Sequence, residues 1–127
     1  MNIEVANGEI VDKITILCIK LKKMNDKEKL VNVQYEYKTL LPIMHKIGIQ
    51  ENDPLYQELL EINKKLWVIE DQLRIKEAAK EFDNEFIELA RSVYFTNDER
   101  SEIKKKINVL TGSKVIEEKE YVKYKIS

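Results

Sequence analysis

The chain has 127 residues, of which 43% are hydrophobic and 35% charged, with only three Gly and two Pro. This length suits one domain, and the composition favours a helical protein with a charged surface over a disordered chain or a turn-rich β protein. The formal net charge of −1 lacks the positive excess that accompanies nucleic-acid or anionic-membrane binding, so we expect neither partner.

The cysteine content and the N-terminal residues bear on the cellular location. Cys18 is the only cysteine, so one chain can form neither a disulfide nor a thiolate zinc cluster. Residues 1–5 have no basic stretch before an apolar core, and no apolar run approaches the roughly 18 residues of a membrane span. We therefore expect a cytoplasmic protein.

The first two predicted elements are helices. Apolar residues at spacings of three and four predict a helix from about 8 to 24 and a second from about 26 to 47. Asn25 and Asp26, where the second helix begins, have side chains suited to an N-cap. Pro42 removes a backbone hydrogen bond, so we expect a kink or an early end near Leu41, and Gly48 marks the stop.

The third helix has the clearest start. Asp53 is suited to the N-cap and Pro54 to the first helical position. The residues that follow have a heptad-like pattern, namely Leu55, Leu59, Ile62, Leu66, Ile69 and Leu73. The predicted helix runs from about 54 to 79 and is roughly 39 Å long at 1.5 Å per residue. Such a length indicates an elongated bundle or a dimer interface.

A fourth helix is predicted to begin near residue 84 and to end before Gly112. The segment Thr96-Asn97-Asp98-Glu99 has the form of a capping box, so either one long helix or two collinear pieces fits the pattern. The apolar spacing places Thr96 and Arg100 on the buried face. A polar break in an otherwise apolar stripe results.

Residues 1–5 and 121–126 alternate apolar and polar side chains, a pattern that suits a short strand at each end. Together these patterns predict an all-α protein with one helical domain over residues 1–127. Its predicted architecture is an elongated antiparallel bundle of about four long helices, with short β segments at the termini.

The three arginines are compositionally unusual, because 19 of the 22 basic residues are Lys. We infer an AT-rich coding background that favours Lys, so Arg74, Arg91 and Arg100 are the positions that need a planar, bidentate guanidinium. Two interpretations follow. The arginines are either salt-bridge partners between helices or the ligands of a small anion.

An antiparallel hairpin of helices three and four would bring Glu70 and Asp71 within reach of Arg91. The resulting cluster is either an ion-pair network or a pocket for a phosphate or carboxylate. The candidate ligand-binding residues are Glu70, Asp71, Arg74, Arg91, Thr96, Asn97, Asp98 and Arg100.

The sequence predicts no catalytic residue, no metal and no cofactor. A di-iron site usually needs Glu-x-x-His pairs, and the only histidine, His45, has no Glu at position 42. Carboxylate pairs such as Glu9 with Asp12 leave a Mg²⁺-dependent nucleotide hydrolase as a minor alternative. Whether the protein is an enzyme stays open.

The sequence resembles a family of short bacterial and viral proteins of unknown function. The resemblance rests on GEIVDKITIL at 8–17, LWVIED at 66–71, ARSVY at 90–94 with TND at 96–98, IK at 103–104 with IN at 107–108, and GS at 112–113 with EEK at 117–119. It spans nearly the whole chain and implies a single intact domain. It implies no activity.

We expect a self-associating interaction or scaffold module, with a homodimer as the favoured oligomer. The four apolar stripes are wider than one four-helix core consumes, which motivates this expectation. The alternative is a small all-α enzyme or metabolite-binding protein that binds an anion between helices three and four.

Overall fold

The computed structural model describes residues 1–124 and contains four α-helices. These are α1 (Asn7–Lys23), α2 (Lys27–Lys46), α3 (Pro54–Ala78) and α4 (Asn84–Leu110). No strand is present within residues 1–124. The predicted all-α bundle is confirmed, because apolar residues at helical spacing pack the four helices together. None of the helices in this part of the chain is long and apolar enough to cross a membrane.

Side-chain caps begin three of the helices. The carboxylate of Asp26 accepts hydrogen bonds from the backbone N–H groups at the start of α2, Asp53 does the same for α3, and Asp83 for α4. Each cap satisfies donors that have no partner inside the helix. The first two caps were predicted from the sequence, and Asp53 is followed by Pro54 at the first helical position, as expected.

Pro42 does not end α2 near Leu41, which corrects one sequence expectation. The helix continues to Lys46, and both Pro42 and Lys38 are exposed. The carbonyl of Lys38 loses its helical partner at Pro42, and solvent can satisfy it at an exposed position. The chain then turns at Gly48, whose φ is +97°, and Ile49 anchors the loop by complete burial.

The capping-box segment does not divide α4, which is continuous from Asn84 to Leu110. Thr96 is only 1% exposed. The tertiary environment of this buried position outweighs the local preference for a new helix start. The structure therefore contains one long helix rather than two collinear pieces.

The predicted terminal strands are absent from the described residues. Residues 1–5 and 121–124 have no regular secondary structure, and positions 125 and 126 lie outside the described part of the chain. Residues 1–5 and 121–124 do not form a ladder with each other. Instead, Tyr124 contacts the rings of Tyr94 and Phe95 on α4, so side-chain packing holds this end without strand pairing.

Helix α1 is the centre of the bundle. It lies close to each of the other three helices, whereas within residues 1–124 the backbone of α2 approaches that of no helix but α1. The buried core has contributions from all four helices and from the loop after α2. It consists of Val11, Ile14, Ile19, Met44, Ile49, Tyr56, Leu59, Leu60, Ile103 and Ile107.

The start of α1 lies very close to the end of α4. Ala6 provides no side-chain cap, and α4 and the residues after it supply the acceptors instead. The N–H of Gly8 donates to Asn108 Oδ1 at 2.6 Å, and the N–H of Asn7 donates to Ser113 Oγ at 3.0 Å. A Cβ atom at Gly8 would lie 2.6 Å from the carbonyl oxygen of Lys104. Glycine is therefore needed here for the close approach of two backbones.

The end of α3 and the start of α4 form what we call the distal hairpin, residues 70–95. Lys76 is its only buried residue. The core cluster lies toward the opposite end of these two helices, around Tyr56, Leu59 and Ile107. The distal hairpin is therefore a pair of helices with little hydrophobic core of its own.

Replacing Gly8 with Ala is expected to lower the free energy of unfolding by about 2 kcal/mol, because the new methyl group meets a backbone oxygen that cannot rotate away. Urea denaturation followed by circular dichroism measures the change. Lys22→Ala, on the exposed side of the same helix, is the control and should change stability by less than about 0.5 kcal/mol. Equal stability of the Gly8→Ala variant and the wild type would contradict the close packing.

Candidate functional site

A buried polar cluster joins α1, α3 and α4. The Nε–H of Arg100 donates to Asp12 Oδ1 at 2.9 Å, and a second N–H of the same guanidinium donates to Asp12 Oδ2. The side-chain amide of Asn63 donates to Asp12 Oδ1 at 2.9 Å and to Thr15 Oγ1 at 2.8 Å. One carboxylate thus connects three helices.

The carboxylate of Asp12 is buried but well paired. The Asp12 side chain is only 4% exposed, and its desolvation is offset by the bidentate guanidinium and the amide donor. The hydrogen bonds to Asp12 raise the pKa of Arg100. The polar break predicted at Arg100 is therefore an interhelical ion pair, which was the structural interpretation of the arginines.

Asp12 and Asn63 were not predicted from the sequence as members of this cluster. Asn63 lies four residues after Leu59 and three before Leu66, which is a position on the apolar stripe. A polar side chain at that position was the available signal. Asp12 gave a weaker signal, because an isolated helical carboxylate is common at the surface and only the burial of α1 on several sides distinguishes it.

A cleft lies between α4 and the residues that follow it. We call residues 113–124 the C-terminal segment and the space between it and α4 the α4 cleft. The cleft has a volume of about 820 Å³. The α4 side chains that line it are Arg91, Val93, Tyr94, Phe95, Asn97, Asp98, Arg100 and Ser101, and those of the C-terminal segment are Lys119, Tyr121, Val122 and Tyr124.

Ion pairs hold the first half of the C-terminal segment against α4. Glu117 lies 3.6 Å from Lys104, and Lys119 lies 3.4 Å from Glu117. A hydrogen bond with Glu9 and the nearby positive charge of Lys104 lower the pKa of Glu117. Because Lys104 also pairs with Glu9, this group connects the segment to α1 as well as to α4.

Aromatic contacts and one hydroxyl bond hold the end of the described segment. The ring of Tyr124 lies 5.8 Å from that of Tyr94 and 5.4 Å from that of Phe95, and its hydroxyl donates to Asp98. Desolvation and this hydrogen bond raise the pKa of Tyr124 to about 12. The tyrosine therefore keeps its proton at neutral pH and remains a donor to the carboxylate.

Four of the eight predicted site residues line the cleft: Arg91, Asn97, Asp98 and Arg100. A fifth, Thr96, is buried beside them in the chain. The bond to Asp12 uses two of the five N–H donors of Arg100, and the other three have no acceptor among residues 1–124. Asp12 therefore holds one edge of the Arg100 guanidinium in place, and Arg100 also lines the cleft.

The other three predicted residues, Glu70, Asp71 and Arg74, are exposed and do not line the cleft. Within residues 1–124 the predicted cluster of Glu70 and Asp71 with Arg91 does not form, because Arg91 pairs with Glu88 at 3.0 Å on its own helix. The buried residues of this part of α3 are Leu66, Ile69 and Lys76. Positions 70, 71 and 74 lie off that stripe, so they do not face α4.

Lys76 closes the distal hairpin. Its ammonium group lies 2.9 Å from Asp83, 3.5 Å from Glu85 and 3.6 Å from Glu81. The hydrogen bond between Lys76 and Asp83 raises the pKa of the lysine and lowers that of the carboxylate. Because Asp83 also caps α4, this lysine orients the start of the helix. This group of charges was not predicted from the sequence.

Within residues 1–124 no three His, Cys, Asp or Glu side chains come together as a group that could hold a metal ion. The geometry defines a class: an all-α bundle with one central helix, a protruding helical hairpin and a cleft beside its last helix. The chain belongs to the family of unknown function DUF6165, whose family model matches residues 1–127. No curated protein matches the chain, and no solved structure does.

Replacing Asp12 with Ala is expected to lower the free energy of unfolding by about 3 kcal/mol, since the variant removes the shared acceptor of Arg100 and Asn63. Chemical denaturation measures the loss. Glu88→Ala is the matched control, because it breaks the exposed carboxylate pair of Arg91 and should cost under about 1 kcal/mol. Similar losses in both variants would show that the buried cluster has no special structural role.

Proposed function

We propose that the protein is a self-associating helical module and that the distal hairpin forms its dimer interface. One observation carries this proposal: large apolar side chains are exposed along a hairpin that has almost no core of its own. Their exposed fractions are Ile75 63%, Phe82 57%, Ile87 50% and Tyr94 58%, and Val68, on α3 just before the hairpin, is 50% exposed. Concentrations of exposed apolar surface mark interaction sites in proteins that are otherwise well packed.

The pattern along each helix supports this role. Val68 and Ile75 are seven residues apart on α3, and Ile87 and Tyr94 are seven apart on α4, so each pair lies on one stripe of its helix. A seven-residue repeat is the spacing through which helices pack side by side in bundles and coiled coils.

The exposed area of the chain is also large. The chain exposes 9220 Å², whereas a compact monomer of 15.1 kDa exposes about 7100 Å². Exposed apolar side chains of the distal hairpin contribute to this area. A stable dimer buries about 800 Å² on each partner, which is well below this excess of about 2100 Å².

A second copy of the chain is the occupant that suits the hairpin best. Two antiparallel helices from each copy would complete a four-helix bundle, in which both apolar stripes can be covered. The hairpin carries both signs of charge at exposed positions, including Glu70, Asp71, Arg74 and Arg91. A two-fold arrangement can pair such charges between copies. A cytoplasmic location stays a prediction from the sequence.

The wild-type protein is expected to sediment as a dimer at tens of micromolar. Ile75→Glu and Ile87→Glu should each raise the dimer dissociation constant by at least about tenfold, because each buries a charge in the interface. Val31→Glu on α2 is the matched control, since Val31 is 66% exposed against 63% for Ile75. Analytical ultracentrifugation measures the constants.

A wild-type monomer across this concentration range would refute the proposal. An equal effect of Val31→Glu and Ile75→Glu would refute the choice of interface, because it would show that any new charge weakens association. Circular dichroism of each variant verifies that the helices are intact.

A second candidate function is the binding of a small anion, a phosphate or a carboxylate, in the α4 cleft. The observation that favours it is the guanidinium of Arg100, which Asp12 fixes on one edge while three of its N–H donors have no acceptor among residues 1–124. Arg91 and Lys119 line the same cleft, so three cationic groups border it.

Inorganic phosphate or acetate is expected to raise the melting temperature of the wild type in a concentration-dependent way. Arg91→Ala should reduce the rise, whereas Arg74→Ala, which removes an exposed arginine outside the cleft, should leave it unchanged. Differential scanning fluorimetry at constant ionic strength measures the shift. A rise that is equal in all three proteins, or absent from all of them, would exclude this candidate site.

A further inference from the structure

We infer that the ligand of the α4 cleft carries an aromatic ring in addition to its anionic group. This inference rests on the anion-binding role proposed above and specifies its ligand class. It follows from the composition of the cleft wall, in which aromatic rings and cationic groups occur side by side.

The aromatic part of the wall comes from both sides of the cleft. Tyr94 and Phe95 lie on α4, and Tyr121 and Tyr124 lie on the C-terminal segment. Three of these rings already contact one another at centroid distances of 5.4 and 5.8 Å. Aromatic faces at such spacings accept a further planar ring by offset or edge-to-face packing. Val93 and Val122 add apolar surface at the same wall.

Tyr121 is the ring best suited to contact a ligand. It lines the cleft and is 71% exposed, whereas Tyr124 is engaged with Asp98 and with two other rings. A planar group packed on Tyr121 would cover an aromatic face that water now contacts. Stacking of a base or similar ring on an exposed aromatic side chain favours binding without specifying one ring.

The polar part of the wall offers hydrogen-bond donors to the anionic group of the ligand. Arg100 and Arg91 border the cleft from α4, and Lys119 borders it from the C-terminal segment. Asp98 is the carboxylate on this wall, and its bond from the hydroxyl of Tyr124 directs one of its oxygens to the protein. The donors therefore suit a phosphate or carboxylate rather than a cation.

The volume of the cleft is in keeping with such a ligand. A space of about 820 Å³ is near the upper end of small-molecule pockets and exceeds what an inorganic anion needs. A ring linked to an anionic group uses both kinds of wall. Nucleoside monophosphates and aromatic carboxylates share this chemistry, and the experiment distinguishes them.

Isothermal titration calorimetry with single probes tests the inference. Adenosine monophosphate is compared with adenosine and with inorganic phosphate, and 4-hydroxybenzoate is compared with acetate. At least one of the two ring-bearing anions is expected to bind at least about tenfold more tightly than its ringless counterpart. In the nucleotide series, adenosine should also bind about tenfold more weakly than the monophosphate, because it lacks the charge.

Variants of exposed side chains locate the binding site without disturbing the core. Lys119→Ala should weaken binding of the preferred ring-bearing anion about tenfold, whereas Lys114→Ala, an exposed lysine of the same segment outside the cleft, should not. Tyr121→Ala should weaken it similarly, and Tyr121→Phe should retain binding, because the ring and not the hydroxyl makes the contact.

The outcomes separate the two levels of the proposal. If phosphate and acetate bind as tightly as the ring-bearing anions, the aromatic inference is overturned while the anion-binding role stands. If none of the five probes binds at millimolar concentration, both are overturned. Equal effects of Lys119→Ala and Lys114→Ala would overturn the choice of the α4 cleft.

Discussion

The carboxylate of Asp12 is the interaction on which the arrangement of the bundle depends. It lies on the central helix and accepts from Arg100 on α4 and from Asn63 on α3, so it fixes both long helices against α1. Apolar packing tolerates small slides and rotations, whereas a bidentate guanidinium bond has one geometry. The ion pair thus gives a register to helices that hydrophobic contacts hold together. It also fixes the guanidinium that borders the α4 cleft, which connects the core to the candidate site.

The two ends of the α3 and α4 pair differ in what stabilises them. Near Leu59 and Ile107 the helices belong to the common core with α1 and α2. In the distal hairpin, Lys76 and its three carboxylates orient the turn, and apolar side chains such as Ile75 stay exposed. Two helices that pack only against each other bury little apolar surface. Ion pairs and helix caps therefore contribute a larger share of the stability of this hairpin. Because the two ends differ in this way, we propose that the end near Leu59 and Ile107 belongs to the folded core and that the distal hairpin is the part that associates.

The sequence was sufficient to predict the four helices, because apolar spacing and the caps at Asp26 and Asp53 are local signals. The sequence did not suffice to predict the polar cluster around Asp12. Asn63 and Arg100 lie 51 and 88 positions further along the chain, so their contacts with Asp12 depend on how the helices cross. The same limit explains the site, which was expected between helices three and four, whereas the cleft lies between α4 and the C-terminal segment. Arg91, Asn97, Asp98 and Arg100 share a helix, so they were predicted together. Their aromatic neighbours on the C-terminal segment were not, because only the return of the chain along α4 brings Tyr121 and Lys119 there.

The capping of α1 by α4 has a consequence for synthesis of the protein on the ribosome. The N–H groups of Asn7 and Gly8 find their acceptors at Ser113 and Asn108, which emerge from the exit tunnel some hundred residues later. Until then the first turn of the central helix has only water as a partner for these donors, and the core that needs α1 lacks Ile103 and Ile107. The first turn of α1 is therefore locked in place only after α4 and Ser113 have been made, so the bundle depends on contacts between segments far apart in the chain.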